Sequence, residues 1–155
     1  MVEKQVYRNF TSVTSSDLDT EHLVVILIGS ALDTSHSEKI ATSCRSLGLN
    51  VKSLTRSSAH KGAEEMLRIV REYESVMNSI IFVAVAGRSN ALGSVVSGST
   101  NYPVINFPPI KSDNMQADAW SSLNLPSGLG CATVLYPEAT TLHAATILGM
   151  GNFMV

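Results

Sequence analysis

Val24-Val25-Ile26-Leu27-Ile28 is an uninterrupted apolar, largely β-branched run closed by Gly29-Ser30, and Ile80–Val85 repeats the pattern ahead of Ala86-Gly87. A strand that is apolar at every position is covered on both faces, which points to an α/β fold with a buried parallel sheet. The segments between agree. Asp33, Thr34 and Ser35 offer oxygens for a helix N-cap, Ile40, Cys44 and Leu47 recur at helical spacing, and Gly48 ends the segment. A second strand is expected over residues 49–55, then a loop at 56–62 and a helix carrying Met66, Ile69, Val70 and Tyr73. A fourth strand fits Val104–Phe107, where Pro108-Pro109 forces an extended exit. The fifth is expected over 131–136, with Pro137 as first residue of a helix reaching about Leu148. Five strands alternating with helices predict a three-layer sandwich around a central five-stranded parallel sheet, flavodoxin-like or Rossmann-like. Residues 1–20 are polar, with no period of 2 or 3.6, and read as an arm or linker.

The 155 residues are enough for one core. Charged side chains make up only 15%, against roughly 25% in an average globular protein, so much of the surface is uncharged and suited to contact between subunits. A net charge of -2 and no polybasic cluster argue against nucleic acid or an anionic membrane as partner. No apolar run reaches the roughly 20 residues a membrane helix needs, and the start of the chain lacks a signal-peptide core, so a cytoplasmic protein is expected. Cys44 and Cys131 have neither disulfide-framework nor zinc-site spacing and read as small core residues.

Loops at the carboxyl ends of parallel strands form the ligand crevice, and four are expected there: 29–33, 56–62, 86–93 and 124–130. In the first, Gly29 and Ser30 open a helix start whose N–H groups suit phosphate, and Asp33 suits a ribose diol or a plain helix cap. In the second, Ser58, His60 and Lys61 combine a hydroxyl, a titratable base and an ammonium, unless this is a surface loop with an incidental histidine. The third, Gly87-Arg88-Ser89-Asn90-Ala91-Leu92-Gly93, allows close backbone approach and carries short polar side chains, or else simply opens a helix. The fourth, residues 124–130, reads as a lid or a tight connection. His22 reads as linker, His36 as part of a polar helix face and His143 as a packed or contact-face histidine; none has partners at metal spacing. Trp120 reads as a packing anchor.

Together the strings GSALD (29–33), SSAHKG (57–62), VAVAGRSNALG (83–93) and WSSLNLPSGLGCATV (120–134) resemble the aminoimidazole ribonucleotide (AIR) carboxylase domain of purine biosynthesis, over roughly residues 23–155. The likeness is to the class II form of animal bifunctional enzymes, in which a lysine follows the histidine as Lys61 does. Residues 4–14 resemble the end of the SAICAR synthetase domain that precedes it there. The resemblance implies an arm at 1–21, a carboxylase domain at 22–155, a SAICAR synthetase domain in the same polypeptide and a homo-oligomer, an octamer in the family. It implies reversible addition of CO2 to AIR, giving the 4-carboxylate, without ATP, metal or other cofactor. His60 and Lys61 match the catalytic pair, His60 moving the ring proton. Gly29, Ser30, Asp33, Ser57, Ser58, Gly87 and Arg88 match the substrate-binding positions, and Lys61, Ser89, Asn90 and Ala91 the CO2 pocket.

The chain departs from the family pattern at Leu32, where the first motif has a second serine, and at Ala91, where class II proteins have glycine. Relatives also continue past Asn152-Phe153-Met154-Val155 into a further helix. Two rival readings follow: an N5-carboxy-AIR mutase, against which Lys61 and the third loop argue, and a noncatalytic module for oligomerisation or metabolite binding.

Overall fold

A computed structural model describes residues 12–55, 57–110 and 115–150. Arg56 and the segment Asn152–Val155, on which the missing-helix expectation falls, lie outside the described residues.

The two apolar runs form β1 (Leu23–Ile28) and β3 (Ile80–Val85), buried at all positions and paired in parallel from Leu23 opposite Ile80 to Ile28 opposite Val85. Because successive side chains alternate faces, one strand feeds two cores. Val25 and Leu27 join Phe82 and Ala84 beneath α3 (Ala63–Val76) and α4 (Ala91–Ser97). Val24, Ile26, Val83 and Val85 join Ile40 and Cys44 of α2 (Thr34–Ser46) and Ala144 and Ala145 of α6 (Pro137–Ile147). The sheet is completed by β2 (Val51–Leu54), β4 (Val104–Phe107) and β5 (Ala132–Thr133), in the order β2-β1-β3-β4-β5, all parallel. This is the expected three-layer flavodoxin-like sandwich, and its order reverses between β1 and β3, opening a crevice at their carboxyl ends.

Four details differ from the sequence reading. The fifth strand is two residues long, since only Ala132 and Thr133 pair with β4. Residues 124–130 lead into β5 and therefore sit at its amino end, across the sheet from the crevice; there Ser97 Oγ donates to Gly130 O and Leu129 lies against Gly98. The arm is partly structured: α1 (Ser15–Leu18) is one helical turn, with the Asp17 carboxylate accepting from Thr14 N and Oγ1, both at 2.8 Å. It is anchored to the body. Tyr73 of α3, fully buried, donates its hydroxyl towards Ser12 O at 2.9 Å and Asp17 Oδ2 at 3.2 Å, and Lys52 of β2 pairs with Asp17 at 3.3 Å. His22, read as linker, meets Ser79 Oγ through Nδ1 at 2.8 Å, tying the entry of β1 to that of β3. No helix among the described residues is long and apolar enough to cross a membrane.

Candidate active site

The loops after β1, β2 and β3 converge on a cleft of about 410 Å³. Its walls are Gly29, Ser30, Leu32 and Asp33 from the first loop, Ser58, Ala59, His60 and Lys61 from the second, and Ala86, Gly87, Arg88, Ser89 and Leu92 from the third.

The first loop turns sharply because Gly29 approaches β3: its N–H donates to Val85 O at 3.0 Å, and a Cβ there would lie 3.2 Å from that of Ala86. Ser30 then caps a short 3-10 turn (Ala31–Asp33) by accepting from Leu32 N at 3.3 Å. Asp33 is buried and makes no side-chain cap bond to α2, and Leu32 stands on the cleft wall 80% exposed. In the second loop Ser58 Oγ accepts from Lys61 N at 3.3 Å and Gly62 N donates to Ser58 O, a turn that presents His60 and Lys61 to solvent.

The third loop bends through Arg88, the one non-glycine residue with positive φ (60°) among those described. A long side chain in that left-handed region costs about 1 kcal/mol or more, and the conformation is held from α5 (Met115–Leu123). Asp118, buried, accepts from Arg88 N; Ser121 Oγ donates to Arg88 O and accepts from Asn90 N at 3.3 Å; Ser122 Oγ accepts from Asn90 Nδ2 at 2.8 Å. The bend brings the Ser89 carbonyl 3.1 Å from His60 Nε2 and so links two of the three loops.

Three of the expected site residues do not line the cleft. Ser57 is fully buried; its N–H reaches Ile28 O at 3.4 Å and its hydroxyl Leu54 O at 3.3 Å, stitching the second loop to β1 and β2. Asn90 turns inward to cap α4, accepting from Gly93 N and donating to Ser122, and Ala91 begins that helix. Asp118, Ser121 and Ser122 were not anticipated: acids and serines on a helix look like solvent-facing residues until the loop they brace is in place. Among the described residues no group of three His, Cys, Asp or Glu side chains is placed to hold a metal ion. The cleft instead gathers two cations, Lys61 and Arg88, hydroxyls from Ser30, Ser58 and Ser89, one carboxylate from Asp33 and one imidazole. That set suits a phosphorylated, hydroxyl-bearing small molecule from which a proton is moved.

A second, more apolar cleft of about 520 Å³ lies beyond the ends of β4 and β5, between His36 and Lys39 of α2, Met115 and Ala119 of α5, and Tyr136.

Residues 23–155 match the family model described as AIR carboxylase. The chain is 74% identical over 174 aligned positions to a Drosophila melanogaster bifunctional phosphoribosylaminoimidazole carboxylase/phosphoribosylaminoimidazole succinocarboxamide synthetase, covering 100% of this chain and 40% of that protein. It thus spans about 40% of the length of that relative. A Treponema denticola phosphoribosylaminoimidazole carboxylase is 39% identical, over 83% of this chain and 80% of its own. The crystal structure of Treponema denticola PurE superposes with a TM-score of 0.78 at 39% identity, over 83% of this chain and 80% of that one. Motif order, sheet order and sequence all lead to one assignment: the chain belongs to the AIR carboxylase family.

Proposed function

We propose that this chain catalyses the reversible carboxylation of 5-aminoimidazole ribonucleotide by CO2 in purine biosynthesis. The electron-rich imidazole C4 attacks the carbon of CO2, forming the C–C bond. The resulting tetrahedral C4 must then lose its ring proton to restore aromaticity, and His60 takes it; in reverse His60 returns the proton and CO2 departs. Ser30, Ser58 and Arg88 receive the phosphate and Asp33 the ribose diol, while Lys61 and Ser89 flank the CO2 and stabilise the developing carboxylate. The observation that supports this reading is the convergence of three loops on one cleft, with the only imidazole of its wall held against the third loop.

Leu32 contributes no hydroxyl to that cleft, which weakens ground-state binding by about 1 kcal/mol relative to a serine-bearing site. In the wider reading, residues 1–21 are the arm that follows a SAICAR synthetase domain, 22–155 are the carboxylase, and the whole is a cytoplasmic homo-oligomer. A carboxylase relative matched over 83% of this chain and 80% of its own length, together with the fused relatives, supports the division into arm and carboxylase.

The test supplies AIR with bicarbonate-derived CO2, or N5-carboxy-AIR alone, and follows the ultraviolet absorbance of carboxy-AIR in native protein and His60→Asn. Turnover with CO2 that His60→Asn abolishes, with an unchanged circular dichroism spectrum, is expected. Turnover with N5-carboxy-AIR alone makes the chain a mutase, and absence of both activities makes it a noncatalytic module.

A further inference from the structure

The bonds that α5 makes to the third loop do not touch the cleft, yet they set what His60 meets there. A carbonyl oxygen can only accept, so the 3.1 Å contact of His60 Nε2 with Ser89 O requires the proton on Nε2. In the neutral ring the lone pair then lies on Nδ1. The Ser89 carbonyl is aimed by its neighbour Arg88, whose left-handed backbone has its N–H on the Asp118 carboxylate and its C=O on the Ser121 hydroxyl. Asp118 is 4% exposed, so its carboxylate is a fixed acceptor with little competition from water. Loss of either bond removes part of what offsets the strained conformation of Arg88, and the loop relaxes toward ordinary φ, turning the Ser89 carbonyl away.

We propose that Asp118 and Ser121 are positioning residues for His60: by locking Arg88 in the left-handed conformation they hold the Ser89 carbonyl on Nε2 and fix the imidazole as the Nε2–H tautomer, with Nδ1 as its basic nitrogen. The kinetic part of this proposal rests on the carboxylase reading; the tautomer does not.

The experiment records imidazole nitrogen NMR shifts in protein carrying isotope-labelled histidine, with His60 assigned by the loss of its signals in His60→Asn. In the native protein Nε2 of His60 is expected to be pyrrole-like and Nδ1 pyridine-like. Asp118→Ala should average the two shifts, whereas Asp118→Asn, which keeps an acceptor oxygen for Arg88 N, should retain the native pair. In the carboxylation assay Asp118→Ala should lower kcat about tenfold to a hundredfold, the scale of an angstrom's misplacement of a reacting group, and should raise KM for AIR as well, since Arg88 also receives the phosphate, whereas Asp118→Asn should keep both near their native values. Ser121→Ala, which removes only a hydroxyl, supplies the same comparison where Asp118→Ala does not fold. Native-like His60 shifts in Asp118→Ala, or in Ser121→Ala if that variant must stand in, would overturn the proposal, as would a reversed tautomer in the native protein. A native protein with the Nε2–H tautomer and no carboxylation would sink the functional reading and leave the positioning role standing.

Discussion

A methyl group at position 93 would lie 1.4 Å from Asn106 Oδ1, which is why the third residue of α4 is glycine. Asn106 is fully buried on β4 and committed elsewhere, its Nδ2 donating to Ser122 O and Cys131 Sγ. Neither side has room to yield, so Gly93→Ala should cost about 3 kcal/mol, read as a lowered midpoint in urea with an unchanged slope. Tyr73 sets an alkaline limit. Burial above all, then the charge and hydrogen bond of Asp17, push its hydroxyl well above the ordinary tyrosine range. A raised folded pKa means that the contribution is complete below the unfolded value of about 10 and declines as pH rises past it. Stability measured from pH 8 to about 11 should therefore fall, and Tyr73→Phe should flatten that fall while lowering stability at neutral pH by about 1 kcal/mol for the lost hydrogen bond. At single residues the sequence does not tell a cleft-facing side chain from a buried one. Ser57 and Asn90 have the side chains of ligand-binding residues, but burial spends their hydrogen bonds on Leu54, Ser122 and Gly93. Nothing local distinguishes them from Ser58 and Ser89, which face the cleft.

At the scale of elements, β1 and β3 were legible because a doubly covered strand leaves an unbroken apolar run. An edge strand carries no such mark: only Ala132 and Thr133 of β5 pair, opposite Ile105 and Asn106, although β4 itself runs from Val104 to Phe107. The segment 124–130 was placed on the wrong edge of the sheet because its Pro-Ser-Gly composition marks a connection but not which strand end it serves. The arm shows the same limit, since one turn of helix is too short to give a period. Its anchorage is nonetheless substantial. Asp17→Ala would strip a partner from Thr14, Lys52 and buried Tyr73 at once. It should destabilise the protein by about 1–3 kcal/mol and speed amide hydrogen exchange in Ser15–Leu18, with the β1 and β3 amides remaining the slowest to exchange.

Across the whole molecule, large apolar side chains gather outside the core: Trp120 is 67% and Leu123 60% exposed, and Tyr136 and Met115 are exposed beside the second cleft. With so few charges on the surface, these residues fit the proposed homo-oligomer better than a free monomer. Trp120→Glu should shift sedimentation toward smaller species while leaving the far-ultraviolet circular dichroism unchanged; an unaltered sedimentation profile would remove Trp120 from the contact. The two thiols bear on how such measurements can be made. Burial first raises the pKa of both Cys44 and Cys131, with partial offsets from Thr141 and Asn106 respectively, so alkylation of the folded protein at neutral pH should be slow.

That inertness makes the anchored arm accessible to spectroscopy. A dye coupled to a single cysteine introduced at exposed Asp19, beside the turn clasped by Tyr73 and Lys52, would not wobble on a tether. Its fluorescence anisotropy would track the tumbling of the entire particle, and energy transfer from there to any fused neighbour would report a defined separation, not an average over a swinging string.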